Sequence, residues 1–188
     1  MRIITGLAKG CRLDTLEGEN TRPTGERVKE AMFSMIQFDI EGRNVLDLFA
    51  GSGQLGLEAL SRGASHATFL DVSKDAVEII KKNAQKTRLT DRCTIANGDF
   101  TTFFRAGRKK FDIVFLDPPY KSGHMTAALK KLRDSGFLNN GAILVCESET
   151  GDVFGDSPEL EETYEVLKNS RHGRAYITLL LKKKGVEE

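Results

Sequence analysis

Strand-like and helix-like patterns alternate through the middle of the chain. Residues 45–49, 67–71, 94–96, 111–116 and 142–146 are short, mostly apolar runs. Residues 111–116 (apolar except at Asp112) and 142–146 have no polar face, the pattern of central strands in a parallel sheet covered on both sides. Helical spacing separates the runs. Leu55, Ala59 and Leu60 share one side of residues 55–62, closed by Gly63. Ala76, Val77, Ile80 and Ala84 do the same from Lys74 to about Arg88, with Ser73 placed to cap that helix. This alternation predicts a doubly wound, mostly parallel α/β sheet.

The two ends differ. Residues 163–167 and 175–181 flank Arg171-His172-Gly173-Arg174. That turn is too short for a crossover helix, so an antiparallel pair is expected at one edge. Together these runs give a seven-stranded, Rossmann-like sheet with an antiparallel edge hairpin. Residues 1–40 read as a small extension packed on a core domain of residues 41–188. In it, residues 2–5 and 11–13 form a hairpin around Lys9-Gly10. Residues 21–24 form an irregular turn, and Thr24 caps a helix carrying Val28, Ala31, Met32, Met35 and Ile36.

Composition narrows the picture. Of 188 residues, 39% are hydrophobic, enough for a packed core. No apolar run approaches the roughly 18–20 residues of a membrane span, and the first residues do not resemble a secretory signal. Cys11, Cys93 and Cys146 are far apart and lack metal-ligand spacing, so free thiols in a reducing cytoplasm are expected, with no metal site. Basic and acidic residues number 28 and 27, a net charge of +1. A bulk basic footprint for nucleic acid is therefore absent. Local clusters (Arg105, Arg108, Lys109 and Lys110; Lys81, Lys82, Lys86 and Arg88; Lys182 to Lys184) read as solvated faces.

The first strand ends in Asp47-Leu48-Phe49-Ala50-Gly51-Ser52-Gly53-Gln54-Leu55-Gly56, a Gly-x-Gly-x-x-Gly turn leading into a helix. Such glycines permit a tight turn and close approach of backbone to a nucleotide-like ligand. Asp71 ends the next strand, where a carboxylate can bind ribose hydroxyls. This arrangement suits NAD, FAD and S-adenosylmethionine alike. Asp47 discriminates, because an anion beside a pyrophosphate is repelled whereas the ammonium of a methionine moiety is attracted. Alternatively, Asp47 only bonds backbone amides of the turn. Asp99 is placed to meet an adenine amine or to cap the following helix, and Phe100 to pack on adenine or in the core.

The fourth strand ends in Asp117-Pro118-Pro119-Tyr120. Proline removes a ladder donor and restricts its predecessor, so the segment is stiff. In an open α/β sheet it lies beside the glycine loop. The Asp117 carboxylate and Pro118 carbonyl offer two acceptors to a planar amino group, and Tyr120 a face on which a base stacks. Acceptors that grip the amine hydrogens stabilise the positive charge that develops as nitrogen attacks a sulfonium methyl. Residues 121–125, with Gly123 as hinge, are expected to form a mobile cover.

These residues resemble class I S-adenosylmethionine-dependent methyltransferases acting on exocyclic amines. With Met1-Arg-Ile-Ile-Thr-Gly, Thr21-Arg-Pro-Thr-Gly-Glu-Arg-Val-Lys-Glu-Ala-Met-Phe and Leu46-Asp-Leu-Phe-Ala-Gly-Ser-Gly-Gln-Leu-Gly-Leu-Glu-Ala-Leu-Ser-Arg-Gly, the chain is similar to the RsmD family over essentially its whole length. That family methylates N2 of one guanine in bacterial 16S ribosomal RNA. The resemblance implies cofactor contacts at Asp47, Phe49, Ala50, Gly51, Ser52, Gly53, Asp71, Asp99 and Phe100. It implies catalytic roles for Asp117, Pro118, Pro119 and Tyr120, and RNA contacts at Arg2, Lys9, Arg12, Arg22 and Thr24, with Pro23 also bordering the site. It implies a cytoplasmic monomer acting on 16S rRNA within an assembled small subunit. Gln54 and His172 depart from the family pattern. The rival readings are a DNA adenine-N6 methyltransferase, disfavoured because the chain has no room for a target-recognition domain, and a non-catalytic RNA-binding assembly factor.

Overall fold

The computed structural model describes residues 1–16, 25–104, 109–120 and 122–185. Seven strands form one sheet: β1 (Asn44–Asp47), β2 (His66–Asp71), β3 (Cys93–Asn97), β4 (Phe111–Leu116), β5 (Leu138–Ser148), β6 (Tyr164–His172) and β7 (Ala175–Lys182), in the order β3-β2-β1-β4-β5-β7-β6. The first five are parallel, and β7 is antiparallel to both β5 and β6. Strand order reverses between β1 and β4, which makes the carboxyl ends of those two strands the switch point where ligands of open α/β sheets bind.

Side-chain alternation splits the core in two. Ile113 and Phe115 of β4 face one side, with Met32, Phe33, Leu57, Phe69 and Ile80. Val114 and Leu116 face the other, with Leu129, Leu132, Leu144 and Tyr164. The first face is covered by α1 (Glu26–Met35), α2 (Gln54–Ser61) and α3 (Lys74–Lys86); the short α4 (Phe100–Phe103), α5 (His124–Asp134) and α6 (Leu160–Thr163) lie on the second. The one polar residue within β4 has local employment. Asp112 accepts the Asn44 N–H at 2.9 Å and the Asn139 Nδ2–H at 2.7 Å, pinning the start of β1 to its neighbour.

The expected N-terminal hairpin is present. Ile3 N–H bonds the Cys11 carbonyl at 2.9 Å, Gly10 N–H the Ile3 carbonyl at 2.8 Å, and Arg2 faces Arg12. Ile3 and Leu13 are buried in the same core as β1 and α2. Thr24 is not the cap of α1: the helix begins at Glu26 after Gly25, which offers no side chain, and Thr24 lies outside the described residues with Thr21, Arg22 and Pro23.

Two further expectations change. Residues 124 and 125 are not a loop: His124 opens α5, and Gly123 is its N-cap at φ +70°. Ala128, Leu129 and Leu132 bury one face of that helix, which fixes its start against the sheet. Lys121 is outside the described residues. Strand β5 begins at Leu138, four residues before its apolar run, because Leu138 pairs with Phe111 ahead of an irregularity at Gly141 (φ +76°). At the opposite edge, β6 carries a bulge between Val166 and Lys168, leaving Val166 and Leu167 exposed.

Candidate active site at the switch point

The carboxyl ends of the five parallel strands converge here. Asp47 is the last residue of β1 and is paired in register with Phe115 of β4. Phe49 and Asp117, each two residues further along, therefore leave adjacent strands side by side. The glycine loop is tied down at many points. Ala50 N–H bonds the Leu70 carbonyl at 3.0 Å and Gly53 N–H the Ala50 carbonyl at 2.7 Å. Gly51 and Gly53 adopt φ +53° and +76°, which side-chain-bearing residues avoid. A Cβ on Gly51 would meet nothing within 4 Å, so that face of the loop is open to a ligand; one on Gly56 would lie 2.3 Å from the Phe69 ring. The third glycine thus serves helix-to-strand packing.

Both loop carboxylates bond backbone. Asp47 Oδ2 accepts the Gly56 N–H at 2.9 Å. Burial pushes its carboxyl up to about 7, against the Gly56 bond and with help from nearby Asp71. Asp71 Oδ2 accepts the Gly51 N–H at 2.8 Å and its Oδ1 the Ser73 N–H at 2.9 Å. Each oxygen keeps a further lone pair for a ligand. In its ionised form this buried acid, beside an open loop, can pair with a cationic group and would repel a pyrophosphate.

Asp99 caps α4 through a 2.7 Å bond from the Thr101 N–H; the Thr101 side chain first, and this N–H second, hold its carboxyl below the ordinary value. Phe100 is buried in the core, its ring edge-on to Phe49 at 5.4 Å and to His124 at 5.6 Å. Phe49 and His124 are parallel at 6.0 Å. His124 carried no signal in the sequence beyond its position after the proline segment.

Pro118 is buried and Pro119 exposed. Tyr120 leaves 39% of its surface exposed while its hydroxyl donates to Glu147 Oε1 at 3.0 Å. Glu147 comes from β5 and is buried; sequence reasoning missed it because it falls past the apolar run. It holds the hydroxyl edge of the partly exposed tyrosine ring.

The hairpin meets this site at one end only. The Met1 sulfur lies 3.7 Å from the Ser52 hydroxyl, and Met1, Arg2, Arg12 and Glu26 line a cavity of about 290 Å³. Arg2 pairs with Glu26 at 3.2 Å. Lys9 is not brought to it. It sits in the hairpin turn, which docks on the far end of α2 through Leu7 N–H to the Ser61 carbonyl at 2.8 Å and Ala8 N–H to Ser61 Oγ at 3.0 Å. An eight-residue helix places that end roughly 12 Å from the loop. Arg22 and Thr24 lie outside the described residues. His172, at the edge hairpin, bonds Ser170 at 3.0 Å.

Under the hairpin lies an ionic cluster that composition concealed. Glu58 of α2 and Lys29 of α1 are both fully buried and 3.2 Å apart. Glu58 also accepts the Ile4 and Thr5 N–H groups, at 2.8 and 3.0 Å, and Arg62 Nε–H at 2.9 Å. Lys29 donates to the Arg2 carbonyl at 2.6 Å. Gly6 passes so close to α2 that a Cβ would lie 1.8 Å from the Ser61 carbonyl oxygen.

With strand order, glycine loop and proline segment in place, comparison with known proteins is decisive. The family described as conserved hypothetical protein 95 matches residues 1–181. Ribosomal RNA small subunit methyltransferase D of Haemophilus influenzae is 36% identical over 177 residues, 92% of this chain and 89% of that protein. The chain belongs to the RsmD family. Its Escherichia coli member, ribosomal RNA small subunit methyltransferase D, is 35% identical over 149 residues, covering 79% of this chain and 75% of that protein. Among solved structures, yhhF from Escherichia coli superposes with a TM-score of 0.83 at 29% identity, covering 97% and 98% of the two chains. An RNA methyltransferase from Salinibacter ruber, solved with S-adenosyl-L-homocysteine, shares the fold at a TM-score of 0.68 and 16% identity, over 89% of this chain and 97% of that one. The fold of this RsmD-family protein is that of the class I methyltransferases.

Proposed function

We propose that this protein is an S-adenosylmethionine-dependent ribosomal RNA methyltransferase that modifies the exocyclic N2 amine of a guanine in 16S rRNA. The observation that carries the reading is the emergence of Asp117-Pro118-Pro119-Tyr120 from β4 beside the glycine loop on β1, in a chain whose relatives are named small-subunit rRNA methyltransferases.

S-adenosylmethionine supplies an electrophilic methyl on a sulfonium. Asp47 receives its ammonium, Asp71 the ribose hydroxyls, and the Phe49–Gly53 backbone the remainder; Asp99 and Phe100 border the adenine. Tyr120 holds the guanine by stacking, worth about 1–3 kcal/mol for a base on an aromatic ring. The Asp117 carboxylate and Pro118 carbonyl accept the two amine hydrogens. When bound there, S-adenosylmethionine would supply the methyl to the amine nitrogen and leave as S-adenosylhomocysteine, and the two acceptors would stabilise the positive charge that develops on nitrogen. A carboxylate is too weak a base to take a proton from a neutral amine first; the proton of the methylated, cationic amine passes to Asp117 or to water during or after transfer. Pro119 stiffens the segment. Arg2 and Arg12, with Arg22 and Thr24, contact RNA, and Lys9 contributes at a distance. A base has to leave its stack to reach this site. The near-zero net charge favours the assembled small subunit as substrate, because a protein-coated surface supplies affinity that phosphate contacts do not. The protein acts as a cytoplasmic monomer in this reading.

The test is transfer of labelled methyl to naked 16S rRNA, to small subunits and to DNA, followed by nucleoside analysis. Labelled N2-methylguanosine from a ribosomal substrate is expected. N6-methyladenosine from DNA would replace this reading with a DNA methyltransferase, and binding of S-adenosylhomocysteine and RNA without turnover would replace it with an assembly factor.

A further inference from the structure

The hairpin and the glycine loop share one buried polar partner. Asn83, on α3, is fully buried. Its Oδ1 accepts the Asp14 N–H at 2.8 Å, and its Nδ2 donates to the Asp14 carbonyl at 2.9 Å and to the Ser52 carbonyl at 2.9 Å. Both amide hydrogens are therefore engaged, on carbonyls from two distant segments. A side-chain amide has the one acceptor and paired donors that this arrangement needs; a carboxylate would turn two of the three contacts repulsive.

What is joined matters. Asp14 follows Leu13, whose N–H bonds the Met1 carbonyl at 3.0 Å, and lies two residues past Arg12, which faces Arg2. Ser52 stands between the two positive-φ glycines of the loop and also touches Met1. A second set of anchors, Glu58 and Ser61, holds the opposite end of the hairpin to α2 without involving the loop. Removing Asn83 thus leaves the hairpin attached, with the Met1–Ser52 contact, the Lys86–Asp14 ion pair and the Lys29 bond to the Arg2 carbonyl intact, but takes away the buried bonds that tie Asp14 and Ser52 to one partner.

We propose that Asn83 is a positioning residue that links the loop to the basic hairpin, so that cofactor and RNA bind with positive linkage. The inference rests on the proposed function, which assigns the loop to S-adenosylmethionine and the hairpin to RNA. A ligand that fixes Ser52 fixes the partner of Asn83, which lowers the ordering cost of Asp14 and Arg12; the same coupling runs in reverse by thermodynamic necessity.

The experiment measures binding of small-subunit rRNA to the protein with and without saturating S-adenosylhomocysteine. About fivefold or greater tightening is expected in the wild type, the lower end of typical couplings. In Asn83→Ala the ratio falls to about one, while S-adenosylhomocysteine still binds. General destabilisation would weaken both ligands and leave the ratio standing. A measurement on the wild type guards against a variant that does not fold: amide exchange at Ile3, Gly10, Leu13 and Asp14 slows when S-adenosylhomocysteine is added. An unchanged ratio in Asn83→Ala overturns the inference, as does slowing at Gly51 and Gly53 without slowing in the hairpin. A wild type that binds both ligands independently refutes only this linkage; one that binds neither refutes the proposed function as well.

Discussion

The glycine loop and the Asp117–Tyr120 segment sit side by side at the same switch point, yet they are held still by different means. Around the loop, rigidity comes from hydrogen bonds. Leu70, Asp71, Asp47 and Asn83 each hold part of the turn or the helix after it, and three of the four are buried or nearly so. In the proline segment rigidity is largely covalent: two fixed φ angles, supported by hydrogen bonds such as Tyr120 to Glu147 and Ser122 to the Pro119 carbonyl. A hydrogen-bonded loop adapts its electrostatics to its ligand. A proline segment presents acceptors and a ring in one orientation whatever is bound.

Substitutions separate the two regimes. The largest effect is expected below the loop, at Glu58→Ala. It strands the Lys29 ammonium in a site where burial already depresses its pKa against the pull of Glu58. Breaking a buried pair from one side costs about 3–5 kcal/mol, read as a lower denaturant midpoint. Asp117→Ala is expected next. Loss of one preorganised group at a transition state typically costs about 10²–10³ in kcat, or roughly 2.7–4 kcal/mol. Calorimetry on the same variant shows S-adenosylhomocysteine affinity unchanged; a parallel loss of affinity would mean that the two regions are not separable.

Asp47→Asn tests adaptation by the loop. The folded carboxyl sits at about 7, above its unfolded value near 3.9. Its stabilising contribution is complete below about pH 4 and is lost as pH rises through about 7. Without ligand, the wild type therefore loses stability over that range, and Asp47→Asn is flatter and more stable than wild type at pH 8. Ligand affinity runs the other way. The ionised form attracts the ammonium, so wild-type affinity for S-adenosylhomocysteine falls as pH drops below 7, whereas the variant binds weakly throughout. Thermal melts and titration calorimetry across pH 5–8 measure both arms. The smallest effect is expected at Tyr120→Phe. The ring stays, the bond to Glu147 goes, and about 1 kcal/mol appears as a several-fold rise in KM for RNA with kcat nearly unchanged.

How much was legible from sequence follows the same division. Local chemistry was readable: the apolar strands, the glycines and the prolines each dictate geometry within a few residues, and the edge hairpin and the adjacency of β1 and β4 followed. Three features were not. Helix α5 was hidden because Gly123 reads equally as a hinge and as a left-handed N-cap, and packing on the sheet decides between them. Asn83 and Glu58 look like ordinary solvated residues on helices; their partners lie 69, 54 and 53 residues away, beyond any periodicity. Asp99 was ambiguous in the sequence. The structure adds the capping bond and leaves the carboxylate exposed, so capping does not preclude a ligand contact.

The bulge in β6 has a consequence for life in a crowded cell. The outermost strand of an open sheet is a template on which another chain's strand can zip, and here it exposes Val166 and Leu167. The register slip between Val166 and Lys168 interrupts the regular spacing of donors and acceptors that such zipping requires and sharpens the local twist. The sheet therefore stops growing at its seventh strand. A slipped rung protects against aggregation at the edge farthest from the chemistry.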